Sequence, residues 1–544
     1  MKKSFGYMKL TNKIFILFFI MIVTFGTLLR FYRLGQIPQS MEWDEVSYGY
    51  NAYSVLKTGK DEYGITFPLT FKAFGEYKQP VYAYLDVISI DLFGLNSFAV
   101  RFPSAFFGSI SIIFVYFLVA ELFQKYRFAK KLALLSMTFY AISPWSIQFS
   151  RAAFEANVSL CFVIIAVWLF IRGVSVRKKW YFLVSTLILS LSTYTYISQK
   201  VIVPFLFVAL CLFSFSYLKK EKFLAGSIII IFLILNFFWI FDTKSVTRGS
   251  SVAFINQQEQ LMNIPARERN YDHINNDSFG SIIHNRRTVF AQKFIENYVS
   301  HYNLVWLFIT GDGTNRHHAP GMGVLYLISL PFILLGMYFL VSRTLAVSWF
   351  ILFWLLIAPL AASLTTESPH ALRSLIFLPT WHIFEAAGVI FLLQKVKKER
   401  LLQFAILFLY LVNMTYYFHQ YFIHVNTDYQ KDWQYGYKEA VEYVQKYNNT
   451  EKHVIFSNKF EQPYIFYLFY TKYDPAKYIA LGGSARTGNN CYTIAHAYFG
   501  DCRSKLRSGD VYITVEDDTI DKAREVKHFD YAYGKRVISI YEYE

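Results

Sequence analysis

Long apolar runs dominate the chain. They fall at roughly 14–30, 104–123, 132–149, 156–172, 180–197, 201–218, 223–241, 322–341, 345–364, 372–393 and 401–421. Each approaches the about 20 residues a helix needs to cross a bilayer. None shows the polar stripe at helical period that marks a helix packed in a soluble core. The pattern predicts a polytopic α-helical membrane domain over 1–421 with about eleven transmembrane helices. The first run lacks a small-residue cleavage site followed by a polar start, so it is expected to stay as an anchor.

Three longer polar segments interrupt the runs: 31–103, 242–321 and 422–544. In the first, Val46, Gly49/Tyr50, Tyr53 and Leu56 recur every three or four residues after Met41-Glu42-Trp43-Asp44-Glu45, and Gly59 is a natural stop. This predicts an amphipathic helix lying on the membrane surface with Asp44 at its start. The last segment mixes a helical stretch, Lys438 to Tyr447, with strand-like stretches at 454–457, 511–515 and 536–541. A small α/β domain is expected there. Cys161 and Cys211 lie in apolar runs. Cys491 and Cys502 lie in the C-terminal segment, where an oxidising exterior would permit a disulfide that spacing alone does not establish.

Composition agrees with a membrane protein. Of 544 residues 54% are hydrophobic and only 17% charged, against about a quarter charged in soluble domains. Plentiful aromatics exclude a disordered chain. The net charge of +16 could suggest nucleic acid, but the cations occupy alternate short loops. These hold Lys2, Lys3, Lys9 and Lys13; Lys125 to Lys131; Arg172 to Lys179; Lys219 to Lys222; Arg343; and Lys395 to Arg400. By the positive-inside rule these loops and the N-terminus are cytoplasmic, and an odd span count puts the C-terminal domain outside. The basic excess is an orientation signal in a multi-pass cell-membrane protein, and no nucleic-acid partner is expected. No Walker A loop or dinucleotide fingerprint is present.

The candidate chemistry lies on the outer face. Asp44 and Glu45 are adjacent carboxylates just after the first run, and either could simply cap or complement the helix start. Lys78 is a cation at the outer interface, in Glu76-Tyr77-Lys78-Gln79-Pro80-Val81-Tyr82. Arg151 and Glu155, four apart, could share a helix face as an ion pair. Asp312, Arg316, His317 and His318 precede one run, and Glu367, His370 and Arg373 precede another. The histidines have no His-Glu-x-x-His spacing, so no metal is expected. Tyr48, Tyr50, Tyr77 and Tyr82 could stack on sugars or form an interfacial belt.

The chain resembles the GT-C glycosyltransferases of the dolichyl-phosphate-mannose protein mannosyltransferase type, which include the lipid A aminoarabinose transferases. The resemblance spans roughly 10–420. It rests on Trp43-Asp44-Glu45, on the Lys78-Gln79-Pro80-Val81-Tyr82 stretch, on Ser150-Arg151 with an acid four residues on, and on Arg373 followed by Leu378-Pro379. Gln79 replaces the family's usual first proline.

The resemblance implies transfer of a sugar from a polyprenyl-phosphate donor to a hydroxyl on a protein, glycan or lipid at the outer face, with inversion. By position, Asp44 is the catalytic base, supported by Glu45. Lys78, Arg151 and Arg373 bind the donor phosphate, and Glu76, Glu155 and His370 are positioning candidates. No cofactor is required. A divalent metal, if used, would first implicate Glu76, His317 and His318. A lipid or sugar transporter or flippase, and a receptor with an external binding domain, are the competing readings. The first predicts ionisable groups in the middle of spans and repeat symmetry.

Overall fold

A computed structural model describes residues 12–240, 253–254, 259–396, 398–448, 450–487, 491–515, 518 and 520–544. The basic flank at Lys2, Lys3 and Lys9, the loop residue Lys397 and the stretch 241–252 of the second outer segment lie outside the described residues.

The apolar runs are helical along most of their length. Among the described residues, six helices are long and apolar enough to cross a membrane: Lys13–Phe31, Ser97–Leu122, Glu155–Val176, Leu345–Ser363, Leu375–Lys395 and Glu399–Asp428. Four apolar helices are shorter: Trp180–Thr193, Gln199–Phe213, Lys222–Phe237 and Ser329–Arg343. The expected eleven runs of similar length are thus uneven, for local reasons. The run at 132–149 divides into α5 (Ala129–Ile142) and α6 (Pro144–Ser150), because Pro144 has no N–H with which to continue α5. The run at 322–341 becomes helical only at Ser329.

Helices Ser329–Arg343 and Leu378–Lys395 make the tightest crossing. A Cβ on Gly336 would strike the Phe384 carbonyl, and one on Gly388 the Phe332 carbonyl. Two glycines facing each other's backbone let the helix axes approach as small-residue membrane interfaces do.

In the outer segments, α1 (Asn12–Phe31) leads to α2 (Trp43–Thr58), which ends at Gly59 in the left-handed conformation. A short hairpin follows, β1 (Phe71–Ala73) and β2 (Glu76–Lys78), paired Phe71 to Lys78. Then come α3 (Pro80–Phe93) and α4 (Ser97–Leu122), and α7 (Glu155–Val176) after α6.

The expectation of a surface-lying amphipathic α2 is corrected. Its residues 45–52 are all buried. Helix Pro463–Tyr470 of the C-terminal domain covers the face that would have met the membrane. The approach is so close that a Cβ on Gly49 would lie 2.5 Å from the Phe469 ring and 2.7 Å from Val100. Tyr48, Tyr50 and Tyr82 are likewise interior packing residues, 2%, 0% and 0% exposed, not a belt.

The C-terminal segment combines helices with one sheet. Its strands are β3 (Val454–Phe456), β4 (Tyr492–Ile494), β5 (Ala497–Phe499), β6 (Val511–Val515), β7 (Ala523–Asp530) and β8 (Arg536–Tyr543). They form one mixed sheet in the order β4-β5-β3-β6-β8-β7, with β3 parallel to β5 and β6. Val454, Ile455 and Phe456 are all buried, as suits a central strand covered on both faces. Cys491 and Cys502 form a disulfide.

Candidate active site

The Glu42–Glu45 segment carries three carboxylates, and each meets a cation from a different part of the chain. Glu42 pairs with Arg316 at 2.8 Å, Asp44 with Lys78 at 2.6 Å, and Glu45 with Arg101 at 2.9 Å. The three acids differ in exposure: 6%, 42% and 3% of the side chain, respectively. Asp44 is therefore the carboxylate of this set that a substrate can reach.

Local structure fixes this arrangement. Glu42, in extended backbone, precedes α2 and its side chain makes no cap hydrogen bond; Gln434 of the C-terminal segment accepts the Trp43 N–H at 2.7 Å instead. Asp44 therefore does not serve as the cap, and its carboxylate turns to Lys78. Pro80 opens α3 and the hairpin ends at Lys78, so the lysine is held between two rigid elements. Its ammonium lies 4.5 Å from the Tyr48 ring centre and 5.4 Å from that of Phe74. It also donates to the Asp44 carbonyl at 3.2 Å. The lysine is walled in rather than extended along the interface.

Glu45 anchors the helix. Both its oxygens accept from Arg101, and one also accepts the Ala153 N–H at 2.9 Å. Arg101 completes its fork on the carbonyls of Pro38 and Ser40, each at 2.7 Å. A buried pair satisfied on every side fixes geometry more than it adds stability. Burial pushes the Glu42 carboxyl up to about 8, against the opposing pull of Arg316.

Arg101 did not emerge from the sequence. It sits in what reads as the approach to an apolar run, and its signal is a lone arginine within an apolar helix. Asp86 on α3 is of the same kind. Its carboxyl is buried, has no hydrogen-bond partner among the described residues, and is raised well above the usual carboxylate range by burial and then by Glu45.

The remaining candidates divide. Arg151 is fully buried. It donates to the carbonyls of Leu29 at 2.8 Å and Ile37 at 3.1 Å, and to the Tyr421 hydroxyl at 3.2 Å. These bonds tie α6 to the end of α1. The shared helix face expected for Arg151 and Glu155 is absent, because α6 ends at Ser150 and α7 begins at Glu155.

Arg373 donates to Thr365 at 2.8 Å and faces Glu367 at 3.6 Å. Glu76 opens β2, opposite Ala73.

His317, next to Arg316, begins a second cluster. Its Nδ1 lies 2.7 Å from Asp312, whose same oxygen accepts the Ala371 N–H at 2.7 Å. The His370 ring lies 4.8 Å from that of His317, tilted by 48°, and the His370 backbone N–H donates to His301 at 3.3 Å. Burial would raise Asp312, but the His317 ring and the Ala371 N–H hold it down at about 2. Burial, then Arg373, keeps His370 well below the usual imidazole range.

Among the described residues, Asp312, His317 and His370 are the trio whose ligand atoms lie within 4.8 Å of one another. Of Glu76, His317 and His318, the trio includes His317. His318 turns its ring nitrogens to the carbonyls of Ala319 and Asp312. The trio could hold a divalent ion only by giving up the His317–Asp312 bond.

Inside the bundle, Glu385 accepts from Tyr410 at 2.5 Å and lies 2.6 Å from His382.

Residues 77–239 match the dolichyl-phosphate-mannose-protein mannosyltransferase family. The fold is similar to ArnT from Cupriavidus metallidurans bound to undecaprenyl phosphate, with 10% identity, TM-score 0.58, and coverage of 97% of this chain and 98% of that one. The apo state of the same ArnT gives 11% identity and TM-score 0.54, covering 96% and 97%. The apo oligosaccharyltransferase of Archaeoglobus fulgidus gives 13% identity and TM-score 0.50, covering 85% and 64%. No curated protein sequence matches the chain. The chain thus shares with ArnT a fold of apolar helices, and the acid–cation pairs of the Glu42–Glu45 segment sit on it. The family match covers residues 77–239, less than half of the chain, and the likeness to ArnT is one of fold.

Proposed function

We propose that the protein transfers a sugar from a polyprenyl-phosphate donor to a hydroxyl acceptor at the outer membrane face, with inversion. The observation that carries this reading is the Asp44–Lys78 pair: an accessible carboxylate held 2.6 Å from a walled-in ammonium. The ArnT neighbour, which binds undecaprenyl phosphate, supports the donor class.

In this mechanism the acceptor hydroxyl gives its proton to Asp44 as its oxygen bonds to the anomeric carbon. The bond from that carbon to the phosphate oxygen breaks on the opposite face, and polyprenyl phosphate leaves with the electron pair. Lys78 and Arg373 meet the phosphate charge. Arg151 stands with them as a phosphate-binding cation, and Arg316, paired with Glu42, adds a further one. Glu45 fixes the helix start, and Glu76, Glu155 and His370 position the surrounding loops. The chemistry requires no metal; Asp312, His317 and His370 are the residues that would hold one. The chain crosses the cell membrane about eleven times, with a cytoplasmic N-terminus and an extracytoplasmic C-terminal domain.

A lipid or sugar flippase is the second reading. The buried Glu385–His382 pair within a candidate span favours it, but it gives the Asp44–Lys78 pair no task. Purified protein in detergent, given a polyprenyl-phosphate sugar and hydroxyl acceptors, separates the two. Release of polyprenyl phosphate that depends on Asp44 supports transfer. Equal activity in wild type and Asp44→Asn removes the proposed base.

A further inference from the structure

A cleft of about 700 Å³ lies between the β1–β2 hairpin and the C-terminal domain, within the size range of small-ligand sites. It is separate from the Asp44–Lys78 pair but touches it through one residue. The ring of Phe74 lines the cleft, packs 5.9 Å from Trp43, lies 5.4 Å from the Lys78 ammonium, and meets Tyr464 edge-on at 6.3 Å.

The lining has the chemistry of a carbohydrate site. Tyr63, Phe74, Tyr464 and Tyr492 contribute rings, and Asn458 and Gln462 contribute amides. Aromatic faces take up the C–H faces of pyranose rings, and side-chain amides, each with a donor and an acceptor, match vicinal hydroxyls. The charged lining residues are one lysine, Lys72, and one acid, Asp501. Lys72 already sits 5.0 Å over the Tyr63 ring. This balance suits a neutral ligand.

Backbone strain points to the same place. Phe74 occupies the two-residue hairpin turn with φ +54°, and Gln462 has φ +55°. Such a turn favours Asn-Gly, and a bulky residue in the left-handed region is retained where its direction matters. The cleft is also braced against the helix that carries Asp44. The Ser484 N–H donates to the Glu62 carbonyl at 2.9 Å, and Asn51 of α2 donates to the Glu62 carboxyl at 2.8 Å.

We infer that this cleft binds the acceptor, and that the acceptor is a neutral carbohydrate chain fed past Phe74 to Asp44. The inference rests on the transferase reading for its role, but the cleft's ligand can be tested without the donor. Labelled full-length protein in detergent is applied to an array of neutral and charged oligosaccharides and to an array of Ser/Thr-containing peptides.

Phe74→Asn is the informative variant, since asparagine suits the turn and removes only the ring; Gln462→Ala is its companion. The expected result is binding to neutral oligosaccharides that weakens about tenfold or more in both variants, with thermal unfolding of Phe74→Asn unchanged or raised. Binding to peptides only, to charged glycans only or to no glycan overturns the inference. So does full glycan binding by Phe74→Asn. Failure of donor turnover with glycan binding intact would count against the transferase reading and not against the cleft's ligand class.

Discussion

Lys78 holds Asp44 at 2.6 Å, yet 42% of the Asp44 side chain is exposed against 5% for Lys78. The pair thus presents an exposed carboxylate beside a mostly buried cation. Replacing Asp44 with Asn keeps size and loses basicity. Transfer should fall about a hundredfold to ten-thousandfold, while donor KM changes little. Lys78→Ala should instead raise donor KM, because one charge-assisted contact worth about 1.5–3 kcal/mol is lost. Steady-state kinetics with varied donor tests both; unchanged kcat in the first or unchanged donor KM in the second contradicts the assigned role.

Arg101 and Glu45 form a buried bidentate pair beneath the site. Arg101→Leu strands the Glu45 carboxylate and should cost about 3–5 kcal/mol. Arg101→Lys keeps the charge but not the fork, so it should fall between that variant and wild type. Glu45→Gln should be milder, because its amide oxygen can still accept the Ala153 N–H. Thermal unfolding in detergent ranks the three; equal midpoints for Arg101→Leu and wild type would show that the pair does not hold the helix.

Glu62 joins α2 to the C-terminal domain through Asn51 and Ser484. Burial raises its carboxyl to about 7, opposed by its hydrogen bonds to Ser484 and Asn51. The folded state therefore favours the protonated acid more than the unfolded chain does. That contribution, on the order of 3 kcal/mol, is full below about pH 4.5 and is lost as pH rises through 7. In Glu62→Gln, the amide can serve both partners at every pH. Stability of the C-terminal domain should fall across this window in wild type and stay flat in the variant. Parallel pH profiles would show that Glu62 does not carry the dependence.

Much of this arrangement is legible in the sequence where one residue type suffices as a signal. Apolar runs mark the helices, Gly59 marks the end of α2, and Asp44 and Lys78 stand out as charges beside apolar segments. Pairing is less legible. Arg101 and Arg151 look alike as arginines at the edge of apolar runs, yet one serves the acidic segment and the other spends its donors on backbone carbonyls. That choice depends on how α1, α4 and α6 cross. The burial of α2 is hidden for a similar reason. Its helical period is visible, but its cover, Pro463–Tyr470, lies some 400 residues away in the chain. The Asp312–His317–His370 group is assembled by two loops whose spacing matches no local ligand motif.

That group and the neighbouring His301 give a final prediction, because Asp312 and His301 are both held below their ordinary values. His301 accepts the His370 N–H, and burial lowers it to about 4. The fold therefore favours neutral His301: its contribution is present above about 6.5 and is lost as pH falls toward 4. Asp312, held down at about 2 chiefly by His317 against the effect of burial, contributes in its ionised form above about pH 4, and that is lost as pH falls through 2. Acidification should therefore loosen the 301–318 loop in two stages, each on the order of 2–3 kcal/mol. His301→Gln should remove the upper stage and Asp312→Asn the lower one. Amide hydrogen exchange of this loop against pH distinguishes them. A single transition that neither substitution alters would mean that the cluster does not link protonation to the order of the outer loop.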